Sequence, residues 1–265
     1  MSFAKKEMRR ECEKKARDVL NMGENRIKLA CAVLLCASIT VLLWLVSSLS
    51  SNVLDTIGGM PEYAYYPAAQ ITLYVLIIFL AAPLYVGCFR MSLLMTYGEQ
   101  VEIIDVFYTF SSAGSYFRAL RLSLGVFLRI LPIIIALRIH AIMNYLSFWL
   151  VFFDETIKAV NIFFVPVAIL LVMLACFSFG SVSFAYICED MKLCKARKYA
   201  RKARRKNYGS VIAVAYTTLF KLVLSILTLG ILSVVHTIPL AMLTYCHTAL
   251  KLKNIYDNNH ERIDI

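Results

Sequence analysis

Apolar residues come in runs with no charge to interrupt them: Leu29–Leu54, Tyr63–Phe89, Ala159–Cys188 and Leu222–Leu250. Roughly 20 such residues cross a bilayer as a helix, and polar breaks between the runs mark where the chain turns. The pattern predicts an all-α polytopic transmembrane helical bundle of about six spans. They lie near residues 29–48, 68–90, 119–138, 160–187, 209–228 and 231–250, within a membrane domain of 29–251. The last charge-poor stretch, Tyr208–Leu250, holds only Lys221 and divides into two spans at a turn near Thr228–Gly230. The third region is harder to divide. Ala119–Phe153 is long for one span and short for two, and Arg129, Pro132, Arg138 and His140 interrupt it. The reading adopted is one span kinked at Pro132, with "AIMNYLSFWLVFF" in the outer interface or dipping partly inward.

Between the spans the periodicity changes. In residues 1–28, Phe3, Met8, Cys12, Ala16 and Leu20 step by about four residues along an otherwise charged stretch, which predicts a basic amphipathic surface helix. "SSNVLDTIGGMPEYAYYP" has no cation and reads as an outer loop with interfacial tyrosines. In "GEQVEIIDVFYTFSSAG", Ile103, Ile104, Phe107 and Phe110 share a helical face opposite Glu102 and Asp105, as in a short amphipathic helix on the inner surface. Residues 192–206 form an inner basic helix whose Ala196, Tyr199, Ala200 and Ala203 repeat at i, i+3, i+4, i+7. That helix is expected to lie with its small stripe on the inner leaflet. Residues 252–265 form a cytoplasmic tail.

Composition agrees with a lipid solvent: 60% hydrophobic residues, 17% charged and a mean hydropathy of +0.69. The net charge of +11 is concentrated, with nine cations in Lys5–Lys28 and nine in Lys192–Lys206. Cations beside spans stay on the cytoplasmic side. With both termini inside, 24 of the 28 Lys and Arg fall on segments placed there. This gives an N-in/C-in protein of a plasma membrane. A nucleic-acid partner is excluded for want of any recognition module beside the spans. The eight cysteines lie in apolar runs or beside basic clusters, none in a segment placed outside, so they read as reduced, small apolar residues.

The chemistry on offer is sparse. Arg129 and Lys221 are the candidate lipid- or anion-binding residues, because counting from Arg118 and Tyr208 puts each roughly 15–20 Å into a span. Lys195, Arg197, Lys198, Arg201, Lys202, Arg204, Arg205 and Lys206 are the candidate inner-leaflet anchor, drawn to anionic headgroups. His236 and His247 stand three turns apart and cannot share a metal; the carboxylate pairs Glu102/Asp105, Asp154/Glu155 and Glu189/Asp190 sit at membrane edges. No catalytic residue, metal site or cofactor is expected. Two internal similarities stand out. "SYFRALRLSLGVFLR" (115–129) aligns without gaps to "NYGSVIAVAYTTLFK" (207–221), and "APLYVGCFRMSL" resembles "IPLAMLTYCHTAL". Both suggest three related units of surface helix plus hairpin.

"RECEKKARDVL", "APLYVGCFRMSLLMTYGE" leading to "DVFYTF", "YFRALRLSL" and "LTLGILSVVHTIPLAMLTYCHTAL" together resemble a bacterial multi-pass membrane family of unknown function. That family is related to the membrane domain attached to some glycerophosphodiester phosphodiesterases. The resemblance implies a bacterial inner-membrane protein of five to six spans; the phosphodiesterase catalytic domain has no counterpart here. The expected function is non-enzymatic: organising membrane components, or binding anionic lipid or other membrane proteins. The alternative is a small transporter or channel for an anionic or amphiphilic substrate.

Overall fold

The computed structural model describes residues 3–58, 75–146, 167, 171, 181–187, 191–226 and 233–261, and every regular element among them is helical. The helices are α1 (Phe3–Asn21), α2 (Asn25–Gly58), α3 (Ala82–Tyr97), α4 (Ala113–Leu146), α5 (Val182–Ile187), α6 (Leu193–Lys206), α7 (Tyr208–Ile226) and α8 (Ile238–Glu261). π-turns over Ile77–Ala81 and Ser233–Thr237 lead into α3 and α8, and a 3₁₀ helix covers Ile103–Phe110. Among the described residues, Asn25–Val46, Ile78–Tyr97 and Tyr208–Ser225 are long and apolar enough to cross a membrane. These correspond to the first, second and fifth expected spans. The third lies inside α4, which contains Pro132. Most of the fourth span, the Thr228–Gly230 turn and "AIMNYLSFWLVFF" from 147 onward lie outside the described residues.

Several boundaries differ from the sequence reading. α2 runs on to Gly58 through what was expected to be loop, because "SSNVLDTI" contains no Pro or Gly to break a helix. α4 likewise continues past 138 to Leu146: one proline removes a single backbone donor, and hydrophobic helices tolerate that loss. α3 ends seven residues beyond Arg90, where a glycine takes over. Gly98 adopts φ 81°, its N–H reaches the Met95 carbonyl (3.1 Å), and the Glu99 N–H reaches Leu94 (3.2 Å). This is a Schellman stop, and only glycine enters that left-handed region without strain.

The chain divides into two compact units. One comprises Glu13–Ser123 and Ser225–His247. Its core joins Leu20, Leu29, Ala32, Val33 and Cys36 to Leu84, Cys88, Met91 and Met95, with Val106 and Leu243 closing it. The cysteines behave as small packing residues here. Cys12, Cys31, Cys36, Cys88, Cys194 and Cys246 form no disulfide, and Cys88 Sγ lies 4.0 Å from Met242 Sδ.

The 3₁₀ helix packs on α3 because Gly87 has no side chain: a Cβ there would lie 1.9 Å from the Val106 carbonyl oxygen. Glu102 and Asp105 form a reciprocal capping box, so these carboxylates have a structural task. Thr109 Oγ1 donates to the Pro83 carbonyl (3.1 Å), and the Arg90 guanidinium lies 3.6 Å above the Tyr108 ring. The expected apolar face is therefore turned outward. Val106 and Thr109, one 3₁₀ turn apart, face the protein, while Ile103, Ile104, Phe107 and Phe110 are exposed, Ile104 by 70%.

Prolines explain the π-turns. Pro83 has no N–H for the Phe79 carbonyl four residues back, and its ring would crowd that oxygen. The chain widens there, and the Tyr116 hydroxyl donates to Phe79 O instead (2.7 Å). Pro239 follows the second π-turn in the same way, and Ser181, just before α5, is also π-helical. The similarity between "APLYVGCFRMSL" and "IPLAMLTYCHTAL" thus extends to a shared backbone irregularity.

Candidate functional site

The other unit comprises Met1–Cys12, Leu124–Leu224 and Thr248–Ile265, and it holds both sets of candidate site residues. α6 is the centrepiece. Ala196, Ala200 and Ala203 are fully buried, and α6 packs against α5. Tyr199 lies between the rings of Tyr186 and Tyr256, at centroid distances of 5.9 and 5.7 Å. The small stripe therefore faces protein, which corrects the expectation that it lies on lipid. Alanines let two helix backbones approach closely, and neighbouring aromatic rings provide the partner surface. With that face occupied, Lys195, Lys198, Arg201, Lys202 and Arg205 are exposed, and Arg197 and Arg204 are half-buried; the Lys206 side chain lies outside the described residues.

Polar contacts hold the end of α8 beneath this arrangement. Lys253, only 8% exposed, pairs with Asp257 (3.2 Å) and sits 5.5 Å from the Tyr186 ring centroid. The Tyr186 hydroxyl donates to Asp257 Oδ1 (3.3 Å). Burial, followed by Tyr199 and Asp257, pushes the Tyr256 hydroxyl above its ordinary pKa. Lys251 forms an ion pair with Glu11 of α1.

Arg129 belongs to an arginine cluster. Its Nη1 donates to the Gly125 carbonyl one turn earlier. The Arg197 guanidinium rests on Gly125 itself: a Cβ there would lie 2.0 Å from Nη2 and 2.7 Å from Cζ. Arg197, Arg201 and Arg204 are spaced i, i+4, i+7, so one face of α6 presents all three. Arg204 leans over the Tyr208 ring at 5.8 Å, and burial lowers its pKa, with Arg201 lowering it further.

Lys221 has a different setting. It stands one turn beyond Thr217, whose Oγ1 accepts from Arg9 Nη1 of α1 (2.8 Å) and donates to the Ala213 carbonyl (2.6 Å). In the gapless alignment of 115–129 with 207–221, Gly125 matches Thr217 and Arg129 matches Lys221. In both segments an arginine from a basic helix meets the chain one turn before the cation. Gly125, Arg9 and Thr217 were not singled out by sequence. A glycine four residues before an intraspan cation was the available signal.

Among the described residues, no group of three His, Cys, Asp or Glu could hold a metal ion. Asp154/Glu155 and Glu189/Asp190 lie outside the described residues. No family model, curated protein or solved structure matches this chain.

Proposed function

We propose that the chain is a non-enzymatic, six-span protein of the bacterial plasma membrane, with both termini inside, that organises membrane components by binding anionic lipid headgroups. The observation that carries this reading is the orientation of α6. Its alanines are used up by contacts within the protein, so five exposed cations point outward beside the apolar helix α7. At about 1 kcal/mol per cation near an anionic leaflet, they supply about 5 kcal/mol of salt-sensitive attraction. The exposed face of the 3₁₀ helix, with Ile104 and Phe107, suits a membrane interface.

The position of Arg129 supports lipid binding over the transport alternative. A helix as cationic as α6 belongs at headgroup depth, and Arg197 of that helix rests on Gly125. Arg129 is then about 6 Å farther along α4, one turn in, rather than at the bilayer centre. At that depth an arginine reaches phosphates by snorkelling. The family resemblance to a phosphodiesterase-linked membrane domain fits a role beside phospholipid.

The test is the lipid that co-purifies with the gently solubilised protein, measured by mass spectrometry. Anionic phospholipid should be enriched over its share of the membrane, and the triple variant K195Q/K198Q/K202Q should lose at least half of that enrichment. Co-purified lipid of bulk composition in the parent would refute the reading.

A further inference from the structure

We propose that Arg129, Arg197, Arg201 and Arg204 form a built phosphate-binding site where the Arg197 side chain of α6 reaches Gly125 of α4, specific for a phosphate group rather than for negative charge in general. The proposal rests on the headgroup-binding reading and narrows it to four side chains.

The geometry has three parts. Arg197, Arg201 and Arg204 share one face of α6, two turns in length, and Arg197 at its start reaches Gly125, whose carbonyl holds Arg129. Gly125 makes the approach possible, since any side chain there would occupy the position of the Arg197 guanidinium. Arg129 is held by its bond to the Gly125 carbonyl, so two guanidiniums converge on one residue from two helices. Arginine presents a planar fork of donors that engages two oxygens at once. A tetrahedral phosphate offers oxygens in several directions and can accept from several such forks, whereas a carboxylate offers two oxygens in one plane. Arg201 is exposed and leaves one side of the cluster open to an incoming ligand, while Arg204 is steadied by the Tyr208 ring. The same chemistry is met by a phospholipid headgroup or by free phosphate.

The test separates a built site from diffuse charge by comparing two double variants that remove the same charge from α6. R197Q/R201Q removes two members of the cluster, and K198Q/K202Q removes two exposed cations from other faces. Purified protein in a neutral detergent is titrated with inorganic phosphate, and reconstituted protein is offered nanodiscs of phosphatidylcholine with or without phosphatidic acid. In the phosphate titration R197Q/R201Q and R129Q should each weaken binding at least tenfold, and K198Q/K202Q at least fivefold less than R197Q/R201Q does, since the exposed lysines add only diffuse attraction. G125A serves where R129Q fails to fold. It keeps every charge, displaces only the flexible end of Arg197, and should also weaken binding at least tenfold. Saturable binding of inorganic phosphate that competes with phosphatidic acid identifies free phosphate as a ligand; retention of phosphatidic acid alone identifies the lipid. Equal losses in the two double variants, no loss in either, or no phosphate binding by the parent would overturn the site. If the parent enriches anionic lipid and only K198Q/K202Q loses that property, the function stands and the site fails. If the parent shows no enrichment, the function itself has failed.

Discussion

Gly87→Ala tests the packing of the 3₁₀ helix on α3 most directly. The added Cβ would sit 1.9 Å from the Val106 carbonyl oxygen and 2.8 Å from its carbon, both backbone atoms with no rotamer to escape into. Reaching an ordinary C···O separation of ~3.3 Å requires the two segments to part by about 1.4 Å. Overpacking of this kind costs about 1–3 kcal/mol. Parting the segments also strains the buried Thr109–Pro83 hydrogen bond, which is worth about 1 kcal/mol. Alanine returns about 1 kcal/mol of helix propensity, leaving a net loss of about 2 kcal/mol. For a chain of this size that corresponds to roughly 4–8 °C in melting temperature. A thiol-reactive fluorogenic dye in mild detergent reads the transition, because Cys36 and Cys88 are buried in this core. Gly114→Ala is the control: it lies in α4 with nothing within 4 Å of its Cβ, and should be neutral or slightly stabilising. If Gly87→Ala melts with the parent, the close approach of the two backbones is wrong.

Asp257→Asn should cost about 1–3 kcal/mol, less than a fully buried pair because Asp257 is partly exposed; an unchanged melting temperature would dismiss the Lys253–Asp257–Tyr186 contacts as a tether for α8. The raised pKa of Tyr256 means that the folded state favours the neutral hydroxyl. Its contribution is complete below the ordinary tyrosine value of about 10 and is lost as pH rises through the higher folded value. Stability should therefore fall more steeply as pH rises above about 10 in the parent than in Tyr256→Phe, and parallel melting curves would refute this. Cys194 is exposed at the head of α6, so a membrane-impermeant maleimide should label it only after permeabilisation. Labelling of intact cells would reverse the proposed orientation.

The distribution of greasy and charged residues was enough to read the helical class, because a backbone without water must satisfy its own hydrogen bonds and a helix does so locally. Helix ends were less legible. Gly98 stopped α3 through its left-handed conformation, but Gly58 and Pro132 sit in or at the end of helices that run through or up to them, so the residue type alone did not place a boundary. The π-turns before Pro83 and Pro239 were visible only as two Pro-Leu pairs. Their meaning needed the Phe79 carbonyl and the distant Tyr116 hydroxyl that satisfies it.

What the amino-acid order determined by itself was periodicity: α6 as a helix with alanines on one face and cations on the others, and Arg129 and Lys221 as cations embedded in apolar stretches. Which side of α6 met protein was decided only in three dimensions, when Tyr186 and Tyr256 closed on Tyr199 and Arg197 found the bare backbone of Gly125. Periodicity is a property of neighbours along the chain, and sequence records it. Part of a face's partner, such as Tyr256 and Gly125, lies more than fifty positions away, and nothing local encodes its arrival.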